Sequence, residues 1–126
     1  MASIKQILII THSVNQNCFS SLKQDGFSLS FSEDVRLLGS LEDKPYPNLI
    51  ILDMSSNPDE ENISLIKTCK DLEIPIFAIL EFNNNTHIDS SLETDEIIFS
   101  PFEYEEISAR IRRVLWKHGE WDLGQL

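Results

Sequence analysis

Residues 49–53 have the sequence Leu-Ile-Ile-Leu-Asp, a run of apolar residues that ends in an aspartate. An uninterrupted apolar run of this length is typical of a strand that is buried on both faces. Residues 7–10 and 76–80 have the same character. Both faces of a strand are buried when helices cover both sides of a parallel sheet. We therefore expect these three runs to form the central, parallel strands of one sheet.

Two weaker strand signals lie outside the central runs. Phe27, Leu29 and Phe31 alternate with serines, which predicts a half-exposed strand at an edge of the sheet. Residues 97–99, Ile-Ile-Phe, predict a fifth strand. With helices between the strands, the pattern predicts a doubly wound α/β fold with right-handed crossovers. A chain of 126 residues is the length of one such domain.

Helical periodicity separates the strand signals. Apolar residues three and four positions apart predict amphipathic α-helices over residues 14–24, over residues 35–41, after Pro58 and after Pro101, whereas any helix between residues 83 and 94 is short. In the last helix, Glu106 and Arg110 are spaced for an ion pair. The periodic apolar positions are, helix by helix, Val14, Cys18, Phe19 and Leu22; Val35, Leu38 and Leu41; Ile63, Ile66, Cys69 and Leu72; Tyr104, Ile107, Ile111, Val114 and Leu115.

The charge and cysteine content exclude several classes of protein. With 21 acidic and 10 basic residues, the net charge is −11, which repels nucleic acids and anionic membranes. No apolar stretch is long enough to span a bilayer, and the N-terminus lacks the pattern of a secretory signal. We therefore expect a cytoplasmic protein whose cysteines, Cys18 and Cys69, are reduced and lie in the core.

The sequence contains no catalytic or metal-binding constellation. His12, His87 and His118 show no ligand spacing, no glycine-flanked nucleophile is present, and none of the scattered glycines follows a strand to cradle a phosphate. We expect neither enzyme activity nor a cofactor or bound metal.

Three landmarks carry a resemblance to a known family: the first apolar run, Asp53 at the end of the third strand, and Ser100-Pro101-Phe102 before the final helix. Their order resembles the receiver domain of bacterial two-component response regulators, over residues 4–117. The resemblance implies the flavodoxin-like (CheY-like) strand order 2-1-3-4-5, with the site at the carboxyl ends of the strands.

The resemblance also implies what the site requires. A working receiver uses an acidic pair that binds Mg²⁺, a phosphoacceptor aspartate, a hydroxyl residue and a lysine. Asp53 occupies the phosphoacceptor position. The remaining positions are degenerate, because Thr11 and His12 replace the acidic pair, Leu80 replaces the hydroxyl residue and Ser100 replaces the lysine. Glu81, which follows Leu80, is a candidate to replace a missing acid in this pocket, but if Leu80 takes the hydroxyl position, alternation along the strand predicts that Glu81 points to the opposite side.

These positions predict a pseudo-receiver, which is a phosphorylation-independent signalling and dimerisation module of a transcriptional regulator. We expect residues 1–118 to form the receiver-like domain and residues 119–126 to form a tail or the start of a linker to an effector domain. That separate domain, and not this chain, would bind DNA. The alternatives are a phosphoacceptor receiver that uses Asp53 in a two-component phosphorelay, and a flavodoxin-like domain that binds a ligand over the strand ends.

The predicted partners are a second copy of the chain and a protein signalling partner. By resemblance to the winged-helix class, we expect a two-fold homodimer through the fourth helix, fifth strand and fifth helix. In this dimer, Arg110 reaches Asp95 or Glu96 of the partner, and Ile107 and Ile111 supply apolar area. The basic residues of the last helix also suit an acidic partner surface.

Overall fold

The computed structural model describes residues 4–11, 13–33, 46–54, 60–81 and 94–119. The predicted helix over residues 35–41 falls outside these ranges, and so does the polar stretch over residues 83–93, where any helix was expected to be short. The described elements, in chain order, are strand β1 (Gln6–Ile10), a 3₁₀ helix (Ser13–Asp25), strands β2 (Ser28–Ser32) and β3 (Leu49–Asp53), helix α1 (Glu60–Asp71), strands β4 (Ile76–Glu81) and β5 (Glu96–Ser100), and helix α2 (Tyr104–Lys117).

The described strands form one parallel sheet in the order β2-β1-β3-β4-β5. This order confirms the predicted doubly wound architecture. The three apolar runs are its central strands, and the serine-containing strand β2 lies at an edge, as its alternating pattern predicts. Among the described residues, no helix combines the length and apolar composition needed to cross a bilayer.

The sheet separates two hydrophobic cores. Successive side chains of a strand point to opposite faces, so β3 contributes Leu49 and Ile51 to one core and Ile50 and Leu52 to the other. All four side chains are 0% exposed. The first core lies under the 3₁₀ helix and α2, and the second lies under α1. This double burial is the reason why the run has no polar alternation.

The segment after β1 is a 3₁₀ helix rather than the predicted α-helix. A 3₁₀ helix has three residues per turn, so Phe19, Leu22 and Asp25 follow one another on one face, and the first two are buried. The prediction of an α-helix in this segment is therefore wrong. The segment is rich in serine and asparagine, which have lower α-helix propensity than alanine or leucine and compete for backbone hydrogen bonds.

Helix α1 confirms the predicted helix but rotates its buried face. The structure buries Leu65, Ile66 and Cys69, whereas Ile63 is 37% exposed. At about 100° per residue, Ile63 lies roughly a quarter-turn or more away from the centre of this face. Cys69 is a free buried cysteine, as predicted, and burial followed by the charge of Asp95 raises its pKa to about 12. The side chain of Cys18 is outside the described set.

The predicted face of α2 is confirmed, and a polar network joins this helix to the 3₁₀ helix. Ile107, Ile111, Val114 and Leu115 are buried in the first core, and Tyr104 packs against it. The Tyr104 hydroxyl donates a hydrogen bond to Asp25 Oδ2 at 2.6 Å, and the buried Ser108 hydroxyl donates to the same oxygen at 2.6 Å. The bond to Asp25 raises the pKa of Tyr104 above its ordinary value.

Candidate functional site

The carboxyl ends of the parallel strands bring the sequence-predicted residues to one edge of the sheet. Thr11 follows β1 directly, where its N–H donates to Ser32 O at 2.9 Å. Asp53 ends β3, and Ser100 ends β5. In α/β sheets of this kind, sites lie at this edge. The structure therefore places Thr11, Asp53 and Ser100 at the predicted location, while His12 lies outside the described residues.

Thr11 and Asp53 are bonded to each other. The Thr11 hydroxyl Oγ1 donates to Asp53 Oδ2 at 2.7 Å, a short bond of the kind that a hydroxyl makes to a carboxylate. Thr11 is only 4% exposed, and Asp53 is half-buried. Two positions that a working receiver fills with carboxylates thus hold one carboxylate and one hydroxyl that stabilises it.

The strand register pairs Asp53 with Ile79 rather than with Leu80. The Leu80 side chain, 4% exposed, belongs to the core under α1. Asp53 follows the alternation of Ile51, which faces the other core. The expectation that Leu80 brings apolar surface towards the Asp53 pocket is therefore corrected, because β4 turns it to the opposite face of the sheet.

Glu81 lies on the same face of the sheet as Asp53, whereas alternation counted from Leu80 predicts the opposite face. Ile79 lies opposite Asp53 in the strand register and belongs to the same core as Ile51. Glu81 is two residues further along β4, so it shares the face of Asp53. Its side chain is exposed. The sequence shows the alternation along β4, but the face of Glu81 depends on the pairing of β3 with β4, which the sequence does not show.

Ser100 occupies the position of the missing lysine and makes a long bond to the backbone. Its hydroxyl lies 3.4 Å from the carbonyl oxygen of Leu80. The Ser100–Pro101 peptide bond is cis, and Phe102 packs against the first core with its ring centroid 6.2 Å from that of Phe19. A serine here supplies no positive charge.

The described residues at this edge are acidic or neutral. Glu33, Asp53 and Glu81 carry carboxylates, and Thr11, Ser32, Met54 and Ser100 are uncharged. Within the described ranges, no group of three or more histidine, cysteine, aspartate and glutamate residues is placed to hold a metal ion. The geometry therefore provides a carboxylate that is tethered by a hydroxyl.

The charged residues predicted for the dimer interface contact one another within the chain. Arg110 Nη1 lies 3.4 Å from Glu96 Oε1 and donates to Ile97 O at 3.0 Å, and Nη2 lies 3.2 Å from Glu106 Oε1. The last contact confirms the predicted pair between residues 106 and 110. An Arg110 that reached a partner molecule would have to leave some of these contacts.

Asp95 has two partners in the same chain. Its Oδ1 lies 2.6 Å from His118 Nε2 at the end of α2, and its Oδ2 accepts a hydrogen bond from the Ile76 N–H at 2.8 Å. These contacts join the start of β5 to β4 and to the last turn of α2. The predicted pairing of Arg110 with an acid of a second chain remains a prediction.

Ile107 and Ile111 cannot supply apolar area to an interface in this structure. They are 1% and 0% exposed and lie in the first core. This part of the interface prediction is corrected, because the same periodicity that marks the two residues as apolar turns them towards the sheet.

Comparison with known proteins identifies the architecture. No family model matches the chain, and no curated protein matches it. Among solved structures, the receiver domain of the TMAO respiratory system response regulator TorR superposes with a TM-score of 0.74 at 22% identity, covering 90% of this chain and 98% of that one. The chain has the receiver fold.

Two further structures show the same likeness. A two-component response regulator from Clostridium difficile has a TM-score of 0.72 at 22% identity, covering 90% of this chain and 97% of that one. The response regulator TrrA from Thermotoga maritima, solved with Mg²⁺ and BeF, has a TM-score of 0.72 at 19% identity, covering 89% and 100%. At such identities the likeness establishes the fold, and the chemistry has to be argued from the site itself.

Proposed function

We propose that this chain is a pseudo-receiver, a signalling module that acts through protein contacts without phosphorylation of Asp53. The observation that carries the proposal is the 2.7 Å hydrogen bond from Thr11 to Asp53. A hydroxyl donor satisfies the carboxylate at the place where a receiver would hold an acidic ligand for Mg²⁺. Mg²⁺ needs several oxygen ligands at short distance and loses its water reluctantly, so a single tethered carboxylate is a poor site.

Electrostatics at the strand ends supports the same proposal. A phosphoryl group adds roughly two negative charges. Glu81 shares the face of Asp53, and the position of the compensating lysine holds Ser100. Phosphoryl transfer depends on cations that stabilise the developing charge. The described edge offers carboxylates and hydroxyls instead, which disfavours a transferred phosphoryl group.

The wider role that we propose is the regulatory domain of a cytoplasmic transcriptional regulator. The net charge of −11 disfavours direct contact of this domain with DNA, so a separate effector domain would make that contact. The signal would reach that domain through protein surfaces, including a homodimer. The receiver fold supports this role by resemblance, since it presents helix and strand faces on a rigid parallel sheet.

Intact-mass spectrometry after incubation with acetyl phosphate and Mg²⁺ tests the proposal. We expect no stable addition of a phosphoryl unit to the wild-type chain. The matched control restores the acidic pair and the lysine in one variant, Thr11→Asp with His12→Asp and Ser100→Lys, which we expect to label at Asp53. If the wild-type chain gains one phosphoryl unit and Asp53→Asn abolishes it, the chain is a phosphoacceptor and the proposal is wrong.

A further inference from the structure

A cleft of about 640 Å³ lies at the amino ends of β4 and β5, at the opposite end of the sheet from Asp53. Clefts of this size are common among sites for small molecules. The end of α1 and the turn after it supply Lys70 and Glu73, and the buried Ile74 and Ile76 supply apolar surface. The cleft therefore combines charged groups of both signs with an apolar part.

Asp95 and His118 also line the cleft, and they are bonded to each other. His118 Nε2 donates to Asp95 Oδ1 at 2.6 Å, since a carboxylate can only accept, and Asp95 Oδ2 accepts from the Ile76 N–H at 2.8 Å. Both oxygens of Asp95 thus have partners within the chain. Of the two described acids that line the cleft, Glu73 is therefore the one more available to a ligand.

Glu73 has a backbone conformation that is unusual for its residue type. Its φ of 59° is in the left-handed region, where the residue after a helix is most often glycine or asparagine. A residue with a Cβ atom is strained there, and strained residues of this kind occur often at ligand sites. Glycine would remove the strain, so a glutamate at this position needs a reason, and a carboxylate beside the cleft supplies one.

Thr94 lines the cleft and has a buried hydroxyl without a partner among the described residues. A buried polar group that makes no hydrogen bond destabilises the folded chain. Rotation about χ1 exchanges the hydroxyl with the methyl group of the same side chain, so the hydroxyl can turn towards a ligand. Lys70 can bind the same ligand group, because an ammonium has three donors and can keep its contact within the chain.

We propose that this cleft binds a free α-amino acid with an aliphatic side chain. Lys70 and the Thr94 hydroxyl donate to the ligand carboxylate, and Glu73 accepts from the ligand ammonium group. The side chain of the ligand packs on Ile74 and Ile76. A zwitterion suits the cleft better than a singly charged ligand, because a chain of net charge −11 repels a simple anion and Lys70 repels a simple amine.

This inference goes beyond the proposed function. The cleft and Asp53 lie at opposite ends of the sheet, so the proposal holds or fails whether or not Asp53 accepts a phosphoryl group. An amino acid in the cleft contacts residues at the ends of both α1 and α2, which gives the module a small-molecule signal that needs no phosphorylation.

Titration of the isotope-labelled chain with L-leucine, followed by NMR, tests the proposal. We expect saturable shifts of the amide signals of Glu73, Ile76 and Asp95. Two further probes separate the charges, because isocaproate lacks the ammonium group and isoamylamine lacks the carboxylate. We expect each to bind at least about tenfold more weakly than leucine, since each loses a bond between charged groups. The absence of saturable shifts with leucine would overturn the proposal, and so would equally tight binding of either probe.

Two variants test whether the binding occurs in the cleft. Thr94→Val removes a hydroxyl that has no described partner, so we expect weaker binding of leucine while the urea midpoint stays at or above that of wild type. Glu73→Gln keeps the shape of the side chain and should weaken binding at least about tenfold. The matched control, Glu105→Gln, neutralises an exposed acid in the first turn of α2 and should bind as wild type. Unchanged binding in both cleft variants, or an equal loss in the control, would refute the assignment.

Discussion

The substitution Thr11→Val tests whether the hydroxyl of Thr11 stabilises the carboxylate of Asp53. Valine keeps the branched shape of threonine and removes the donor of the 2.7 Å bond. A hydrogen bond to a charged group contributes about 1.5–3 kcal/mol when it is buried. Thr11 is buried, but Asp53 is only half-buried, so water can replace part of the lost contact. We therefore expect Thr11→Val to lower the free energy of unfolding by about 1–2 kcal/mol.

Urea denaturation measures this loss. With a slope of about 2 kcal/mol per molar urea, the middle of the usual range, the midpoint should fall by roughly 0.5–1 M. Ser100→Ala is the matched control, because its hydroxyl makes only a 3.4 Å contact to Leu80 O, and we expect a change within about 0.5 kcal/mol. A double-mutant cycle of Thr11→Val with Asp53→Ala isolates the pair. A coupling energy near zero would refute the reasoning.

Three further predictions concern the groups that join the helices to the sheet. Asp25→Ala removes the acceptor that the hydroxyls of Tyr104 and Ser108 share, while the Tyr104 hydroxyl keeps the carbonyl oxygen of Ser21 at 3.1 Å. Urea denaturation should therefore show a loss of about 1–3 kcal/mol, against little change for the exposed Asp71→Ala, and a loss under about 0.5 kcal/mol would contradict this. Because the folded pKa of Tyr104 is raised, the stability linked to its proton is fully present below about pH 10 and is lost as the pH rises through the folded pKa. Between about pH 9 and pH 11, the free energy of unfolding should therefore fall more steeply with pH for wild type than for Tyr104→Phe. The same pH dependence in both proteins would exclude the effect. In a Cys18→Ser variant, Cys69 should react with a disulfide reagent near pH 8 about a thousandfold more slowly when native than when unfolded, since its pKa rises from 9.0 to about 12; equal rates would show that the thiol is accessible.

The sheet could be predicted from the sequence because burial on both faces leaves short, uninterrupted apolar runs that are rich in isoleucine. Residues 49–52 contain no polar residue to suggest a solvent face, and the structure buries all of them. The alternating serines of β2 likewise predict its place at an edge. The helices were predicted less accurately. Ile63 has the apolar character of a core residue, but the rotation of α1 is set by Leu65, Ile66 and Cys69 packing against β4 and is not encoded in the periodicity alone.

The candidate site likewise contains some features that the sequence predicts and others that depend on the three-dimensional packing. The position of Asp53 at the end of an apolar strand was evident in the sequence, whereas its proximity to Thr11 followed from the strand order that the resemblance implies. The side occupied by Glu81 was not evident, because it depends on the register that places Ile79 opposite Asp53. The intramolecular contacts of Arg110 were missed for a similar reason. A charged residue on the last helix gives no indication in the sequence of whether its partner lies in the same chain or in another.

The bonds of Asp25 also set an order of events during synthesis. Its two partners lie 79 and 83 residues further along the chain. At about 5–20 residues per second, they leave the ribosome roughly 4–17 s after Asp25 does. During that interval, α2 has not yet been synthesised and does not cover Phe19 and Leu22, with which it shares a core in the folded chain. A chain whose translation stops before residue 104 therefore exposes two large apolar side chains near its beginning, which is a surface that chaperones and proteases can bind.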